Sequence, residues 1–381
     1  MASNPYWTDP YKKEFKSRVA SIESEGIILE ETLFYPQGGG QTSDRGVIIH
    51  QDNTFHVLEV SKIKEGILHH VKEDLSTLSP GDEVQGRIDW EHRYGLMKAH
   101  TSQHVLSSLI FQHLKRNTEG VRIYQEDVTI SLDEAISLTQ LSDILLEVNE
   151  ICTSKKLKVN QTITSRKVAL EKEGNLRGGF VPEADDVRII EIENLDEICC
   201  GGTHVSNTDE IGPIFVYEFG GDEIKYRVGS KALESIRAEN LQMLELMNLL
   251  NASIANYMPL LKKGLDQADQ LQVENENLKN QVLEQLSAHP AKKHEEFSLF
   301  VCNFEVEKKI LNRTFDNFPE NSILLINPPN PKVIILSKNE DFSSQELINS
   351  LIEGFGGRGG GNPWYRSEER RVGKECIVKC R

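Results

Sequence analysis

KAHTSQHVLSS (Lys98–Ser108) and CCGGTHVSN (Cys199–Asn207) are the two stretches on which both fold and chemistry turn. His100 and His104 stand at i and i+4 in a run whose apolar residues, Leu96, Met97, Leu106 and Leu109, recur at helical spacing. This predicts a helix from about Trp90 to Leu114 that shows both imidazoles on one face, a turn apart. Much later in the chain Cys200 and His204 form a C-x-x-x-H pair, in which Gly201 and Gly202 allow a sharp backbone turn. Three nitrogens and one thiolate make a tetrahedral donor set suited to one zinc ion per chain. Cys199 is the competing thiolate. The first helix lacks the Glu of H-E-x-x-H, so a metalloprotease reading fails at its general base. His69, His70, His92 and His113 have no partner at ligand spacing and read as ordinary core or surface residues.

Working outward, residues 1–90 read as mostly β: GIILEETLFY, GVIIHQ, TFHVLEVSKI and GILHHV are separated by Gly, Asn and Asp, which predicts a small barrel. The loop YPQGGGQTSDRG (Tyr35–Gly46) interrupts them. Three consecutive glycines stabilise neither strand nor helix and imply unusual backbone angles or the close approach of a ligand. Residues 91–230 read as a zinc-binding α/β domain, with LTQLSDILLEVNEICTSKK as an amphipathic helix and VRIIEIE and PIFVYEF as strands. In 231–290, Leu261, Leu265, Ala268, Asn275, Leu278, Val282 and Leu286 recur at spacings of three and four, which predicts a coiled-coil hairpin broken near Pro259 and Gly264. Residues 291–365 read as a small α/β domain: FSLFVCNF, SILLINP and KVIILSK as strands, SQELINSLIEGF as a helix, and GGRGGGNP (Gly356–Pro363) as a flexible loop. The fold class is α+β.

Composition bounds the function. With 381 residues, 38% hydrophobic and 27% charged, the chain has an ordinary globular composition and length for two or three domains. No apolar run approaches the ~18–20 residues of a membrane span, and the start carries no apolar stretch fit for a secretory signal. Six cysteines without regular spacing make no disulfide scaffold, which fits a reducing, cytoplasmic setting. The 43 basic and 59 acidic residues give a net charge of −16, which argues against holding nucleic acid by bulk electrostatics and leaves local contacts to do so. RSEERRVGKEC (Arg366–Cys376) resembles the translation of a sequencing adapter, and 366–381 is set apart from fold reasoning as extraneous.

Three motifs, FYPQGGGQTSDRG, DWEHRYGLMKAHTSQHVLSS and VRIIEIENLDEICCGGTHVSNTDEIG, together resemble the editing domain of alanyl-tRNA synthetases and its free-standing relatives, the alanyl-tRNA editing proteins. The likeness covers roughly residues 20–230, and the Leu-rich helices followed by GGRGGGNP resemble the C-terminal domain of the same synthetases. About 25 residues precede the barrel, which favours the longer free-standing editing form over a synthetase fragment. The resemblance implies hydrolysis of tRNA(Ala) mischarged with serine, and secondarily with glycine. A site chosen for alanine gains only ~1–3 kcal/mol against a side chain differing by one small group, so a second, correcting site is needed.

Carried over by motif, the metal ligands are His100, His104, Cys200 and His204. Gln41 and Thr42 match positions that line the amino-acid pocket, beside Gly38, Gly39 and Gly40, and Arg358 lies in the loop associated with tRNA contact. Two routes to ester hydrolysis are open: a zinc-bound water that ionises near neutral pH, or a metal that orients the substrate while the N–H groups of Gly38–Gly40 serve as oxyanion donors. Four protein ligands also describe a closed structural zinc site. A second function class is therefore a zinc-stabilised tRNA-binding or assembly module without catalysis. On either reading residues 231–365 are expected to serve binding and assembly, with a homodimer formed through them.

Overall fold

The computed structural model describes residues 4–172, 176–179 and 181–294 and, beyond 296, separate segments of which the longest is 297–307. The chain divides into two compact units, Met1–Glu245 and Leu246–Arg381.

In the first unit a four-residue helix, α1 (Pro5–Thr8), precedes six strands: β1 (Glu14–Glu23), β2 (Gly26–Leu29), β3 (Gly46–His50), β4 (Asn53–Ile63), β5 (Gly66–Val71) and β6 (Glu83–Ile88). They close into an antiparallel barrel in the order β1-β2-β5-β4-β3-β6. Alternation drives closure. Val84, Gly86 and Ile88 of β6 are buried between exposed neighbours, and Val84 and Ile88 join Val19, Ile27, Ile48, Phe55, Val57 and Val60 in a core of their own.

Helix α2 (Trp90–Leu114) follows directly, over the span the periodicity predicts. Asp89 caps its start, its carboxylate accepting from His92 N at 3.2 Å, and Lys115 ends it in the left-handed region. Every residue from Ala99 to Ile110 is buried. A helix enclosed on all sides needs no polar face. It packs on a four-stranded antiparallel sheet in the order β12-β13-β8-β7, formed by β7 (Thr118–Tyr124), β8 (Asp127–Leu132), β12 (Ile214–Phe219) and β13 (Glu223–Val228). On another side lies α3 (Leu138–Thr153), which starts at a reciprocal Ser137–Gln140 cap. Leu96, Leu106 and Leu109 of α2 meet Ile130, Leu141, Val148 and Tyr226 in this second core. A three-stranded sheet of β9 (Val159–Ser165), β10 (Asp186–Ile192) and β11 (Asp196–Cys199), with α4 (Arg166–Glu171) between β9 and β10, delivers the CCGGTH turn to α2.

The boundary expected at residue 90 is bridged by dense contacts. Arg93, fully buried on α2, pairs with Asp44 of the Gly-rich loop and donates to the carbonyls of Leu33 and Pro10. Gly40 O accepts from Ile123 N at 2.8 Å, and Ile123 O accepts from Thr42 N at 3.1 Å, so the loop is stitched to β7.

Helix α5 (Gly229–Leu249) runs past the end of the first unit at Glu245, and α6 (Tyr257–Ala288) lies wholly in the second. The break between them falls at 250–256, not at Pro259 or Gly264: Pro259 sits in the first turn of α6, where no helical partner for its missing N–H would exist anyway. The apolar stripe is largely exposed, Leu265, Leu271, Leu278 and Val282 among it, and Leu283 alone is fully buried on α6. Leu283 packs with Phe300, Cys302, Phe318 and Leu324. Strands β14 (Lys292–His294), β15 (Phe297–Cys302), β16 (Ser322–Ile326) and β17 (Lys332–Ser337) form a mixed sheet with β15 and β16 parallel. Its edge is completed by Lys374–Lys379, from the segment set apart above, and by Arg358–Gly360, extended where a flexible loop was expected. The side chain of Arg358 and most of the expected helix at SQELINSLIEGF lie outside the described residues.

Candidate metal centre

The fold brings the two distant motifs into one cluster. One donor atom from each of His100, His104, Cys200 and His204 lies within 4.8 Å of the others. Cys200 Sγ is 3.3 Å from Nε2 of both His100 and His204, close to the roughly 3.5 Å edge of a tetrahedron with ordinary zinc bond lengths. The ring centroids of the three histidines are 4.3–5.1 Å apart. Contacts, not burial, separate the two cysteines, which are both half-buried and both reach the neighbouring cleft. Cys200 is held between two imidazoles, whereas Cys199, the last residue of β11, packs toward Ala169, Val181 and Ile189. Adjacent residues of an extended segment point to opposite faces.

The hydrogen bonds set the tautomers. Gln41 Oε1 accepts from His100 Nδ1 at 2.7 Å and from Thr203 N at 3.0 Å, and Gln41 Nε2 donates to Thr203 Oγ1 at 3.0 Å. Thr101 gives its hydroxyl proton to Met97 O at 2.9 Å, so its oxygen accepts from His204 Nδ1 at 3.2 Å. Both rings therefore carry their proton outward on Nδ1 and turn the Nε2 lone pair toward the cluster. Burial pushes His100 down to about 3 and holds His104 and His204 well below the usual imidazole range, so all three are neutral. Burial raises the Cys200 thiol, against the opposing pull of Gly202 N–H and Arg188. Neutral imidazoles and a half-buried sulfur fit a soft divalent ion, which His100, His104, Cys200 and His204 would hold and whose binding would release the thiol proton.

The turn itself is over-determined. A Cβ on Gly202 would lie 2.1 Å from His100 Cε1 and 2.7 Å from Gln41 Oε1, so only glycine fits. Arg188, buried on β10, donates to Gly202 O at 2.5 Å, to Cys200 O at 3.2 Å and to Gln161 Oε1 at 2.9 Å. Trp7 Nε1 donates to Gly201 O at 2.7 Å. Beside the cluster opens a cleft of about 460 Å³ that reaches His100, His104 and Cys200, with Trp7, Gly39, Lys62, Val121, Arg177 and Arg188 in its wall.

The other expected site residues are disposed as follows. Gln41 is sealed from solvent with both amide atoms engaged. Thr42 is half-buried, its hydroxyl donating to Ile123 O at 3.2 Å. Gly38 N–H is spent on Gln41 O at 3.1 Å, so it is no oxyanion donor. Gly39 (φ 59°) lines the cleft, and Gly40 (φ 83°) presses on Val121, where a Cβ would meet its carbonyl at 2.5 Å. Sequence reasoning missed Arg188, Thr101, Asp196, Arg177 and Trp7. For Arg188 a signal existed: a charged residue inside the apolar run VRII of a strand buried on both sides.

Two family descriptions match the chain: class II (A) tRNA synthetases over residues 7–92, and the second additional domain of threonyl and alanyl tRNA synthetases over 187–228. The second match contains Cys200 and His204. The chain is 28% identical to the alanine–tRNA ligase of Sulfurisphaera tokodaii over 98% of its own length and 43% of that protein. It is 31% identical to that of Methanococcus maripaludis over 98% of its length and 42% of that protein. With the Saccharolobus islandicus ligase it shares 28% identity over 92% of its length and 40% of that protein. The chain thus spans about two fifths of the relatives it matches.

Proposed function

From a chain related to the alanyl-tRNA synthetases along nearly its whole length, and carrying their second additional domain, we propose that it hydrolyses tRNA(Ala) mischarged with serine, and secondarily with glycine, at a zinc-dependent site. The observation that carries this reading is a fully assembled His₃Cys cluster with one face open to a cleft. When bound, zinc supplies Lewis-acid stabilisation of charge developing on the ester. The chain's own groups do the rest. Lys62 and Arg177 in the cleft wall offer cations to the phosphodiester next to the aminoacylated ribose. The N–H groups of Gly39 and Gly40, which make no hydrogen bond among the described residues, are available to a developing oxyanion. Gln41 holds His100 and the Thr203 turn in register. Thr42 Oγ keeps lone pairs that accept from a serine hydroxyl, a group alanine lacks.

A second reading, a zinc-stabilised tRNA-binding module without catalysis, is favoured by one observation: four protein ligands fill a tetrahedral ion. The share of the relatives that the chain spans is equally compatible with an editing segment of a longer synthetase, which would act on the tRNA charged by its own chain. The deciding experiment is serine release from Ser-tRNA(Ala), with Ala-tRNA(Ala) as the comparison, with and without prior removal of zinc. Zinc-dependent release selective for serine is expected. Zinc-replete protein that binds tRNA and releases no serine would establish the second reading.

A further inference from the structure

Asp196, the first residue of β11, lies beside the metal cluster without belonging to it. Its Oδ2 is 3.5 Å from His104 Nδ1. That nitrogen is sealed from solvent and, although within ion-pair distance, is not aligned for a hydrogen bond with any described residue. The contrast with the other two ligands is informative: His100 Nδ1 is satisfied by Gln41 and His204 Nδ1 by Thr101. A buried N–H left unpaired is costly, and the acceptor in reach is a carboxylate that is itself 7% exposed. That carboxylate is gripped from the far side, Oδ1 accepting from Arg177 Nε at 2.6 Å and Oδ2 from Nη2 at 3.0 Å.

We propose that Asp196 is the positioning residue of His104. It is the acceptor for the N–H that His104 keeps on Nδ1, which leaves Nε2 to face the ion, and the bidentate grip of Arg177 keeps the carboxylate from swinging away. The assignment rests on the reading that the cluster binds zinc. It makes the site a three-element clamp, with the ligand on α2, its orienting carboxylate on β11 and the brace on the loop at 176–179. Arg177 also lines the cleft, and its Nη1 makes no hydrogen bond among the described residues. An anionic group entering the cleft therefore meets the same guanidinium that aims the carboxylate. Metal-bound histidines are commonly held in this way, and losing such a partner costs about 10–100-fold in metal affinity.

The test measures zinc dissociation constants on the full chain by competition with a chromophoric chelator, together with the visible spectrum of the cobalt-substituted protein. Asp196→Asn keeps the volume but has one oxygen where three N–H groups compete. We expect its zinc dissociation constant to rise about 10–100-fold and its cobalt bands to shift, with far-ultraviolet dichroism unchanged. Arg177→Met should move both readouts in the same direction by less, and provides a second route should Asp196→Asn fold poorly. A purely structural role would lower the unfolding midpoint of the metal-free protein without moving the cobalt bands. Folded Asp196→Asn that binds zinc within about twofold of the parent, with an unshifted cobalt spectrum, overturns the assignment alone. A parent chain that binds no zinc overturns the metal reading and the assignment with it.

Discussion

Gly202 carries the tightest steric constraint at the site, because its missing Cβ is the space that the His100 ring occupies. Gly202→Ala would drive a methyl group into that ring and into Gln41 Oε1, and neither can retreat from a buried, hydrogen-bonded position. The expected outcome is a folded protein with a small fraction of the parent's zinc content, measured by elemental analysis beside thermal unfolding. Full zinc retention would mean that the turn relaxes around the methyl group. Thr42 is a different case. Its hydroxyl donates to Ile123 O, so Thr42→Val keeps the shape but removes an acceptor, while that carbonyl keeps its bond from Thr42 N. Zinc content should be unchanged, and the preference for serine over alanine should fall by about 1–3 kcal/mol in the ratio of deacylation rates. An unchanged ratio places the partner of the serine hydroxyl elsewhere.

At the scale of the element, the barrel contains a group that makes it acid-sensitive. His69 of β5 is fully buried, with Nδ1 donating to Ile27 O at 2.9 Å and Nε2 accepting from Thr32 Oγ1 at 2.8 Å. Burial pushes its pKa from 6.5 down to about 4, so the folded chain keeps the ring neutral while the unfolded chain protonates it. The folded value lies below the unfolded one. The stability it represents is therefore present above about pH 6.5 and lost as the pH falls toward 4. Between about pH 7 and about pH 5 this amounts to about 2 kcal/mol. Denaturant unfolding at the two pH values should show that much more loss in the parent than in His69→Gln, and parallel losses in both would assign the acid sensitivity to other groups. The barrel strands and α2 were legible in the sequence because alternation and helical spacing are local properties. The break between α5 and α6 was misplaced because Pro and Gly were read as breakers without regard to position. Pro259 falls in a first turn that lacks N–H partners, and Gly264 meets nothing that its bare backbone would need to avoid.

For the whole molecule, the division into Met1–Glu245 and Leu246–Arg381 separates the His₃Cys cluster and its cleft from the Leu-rich helix and the second sheet. A cut at residue 230 would damage the first unit. Glu126 accepts from Ser230 Oγ and Lys231 N at the start of α5, and Arg227 Nη1 donates to Ser235 Oγ at 2.9 Å. A chain ending near residue 245 keeps these bonds. It is expected to bind zinc as the full chain does and to hydrolyse at a saturated rate within a few-fold, while needing more tRNA for half-maximal rate. If the exposed residues Leu265, Leu271, Leu278 and Val282 meet a second copy, the shortened chain should also sediment as a monomer where the full chain is a dimer. A shortened chain that binds zinc but hydrolyses nothing at saturating tRNA would place part of the active site beyond residue 245.

The sequence by itself determined the four residues that cluster, the helix that carries two of them, the glycine turn that carries the others and the β character of the first ninety residues. Each is written in spacing or in a residue type that tolerates few conformations. Only the tertiary structure decided which neighbouring cysteine faces the cluster, since two adjacent residues look alike until the strand's faces are known. It also gave Gln41 its work on His100, and brought Asp196, Arg177, Arg188 and Trp7 to the site. Those contacts join residues as far apart as Trp7 and Gly201. No local pattern encodes them, because hydrogen bonds of this kind form only after burial has brought their partners together.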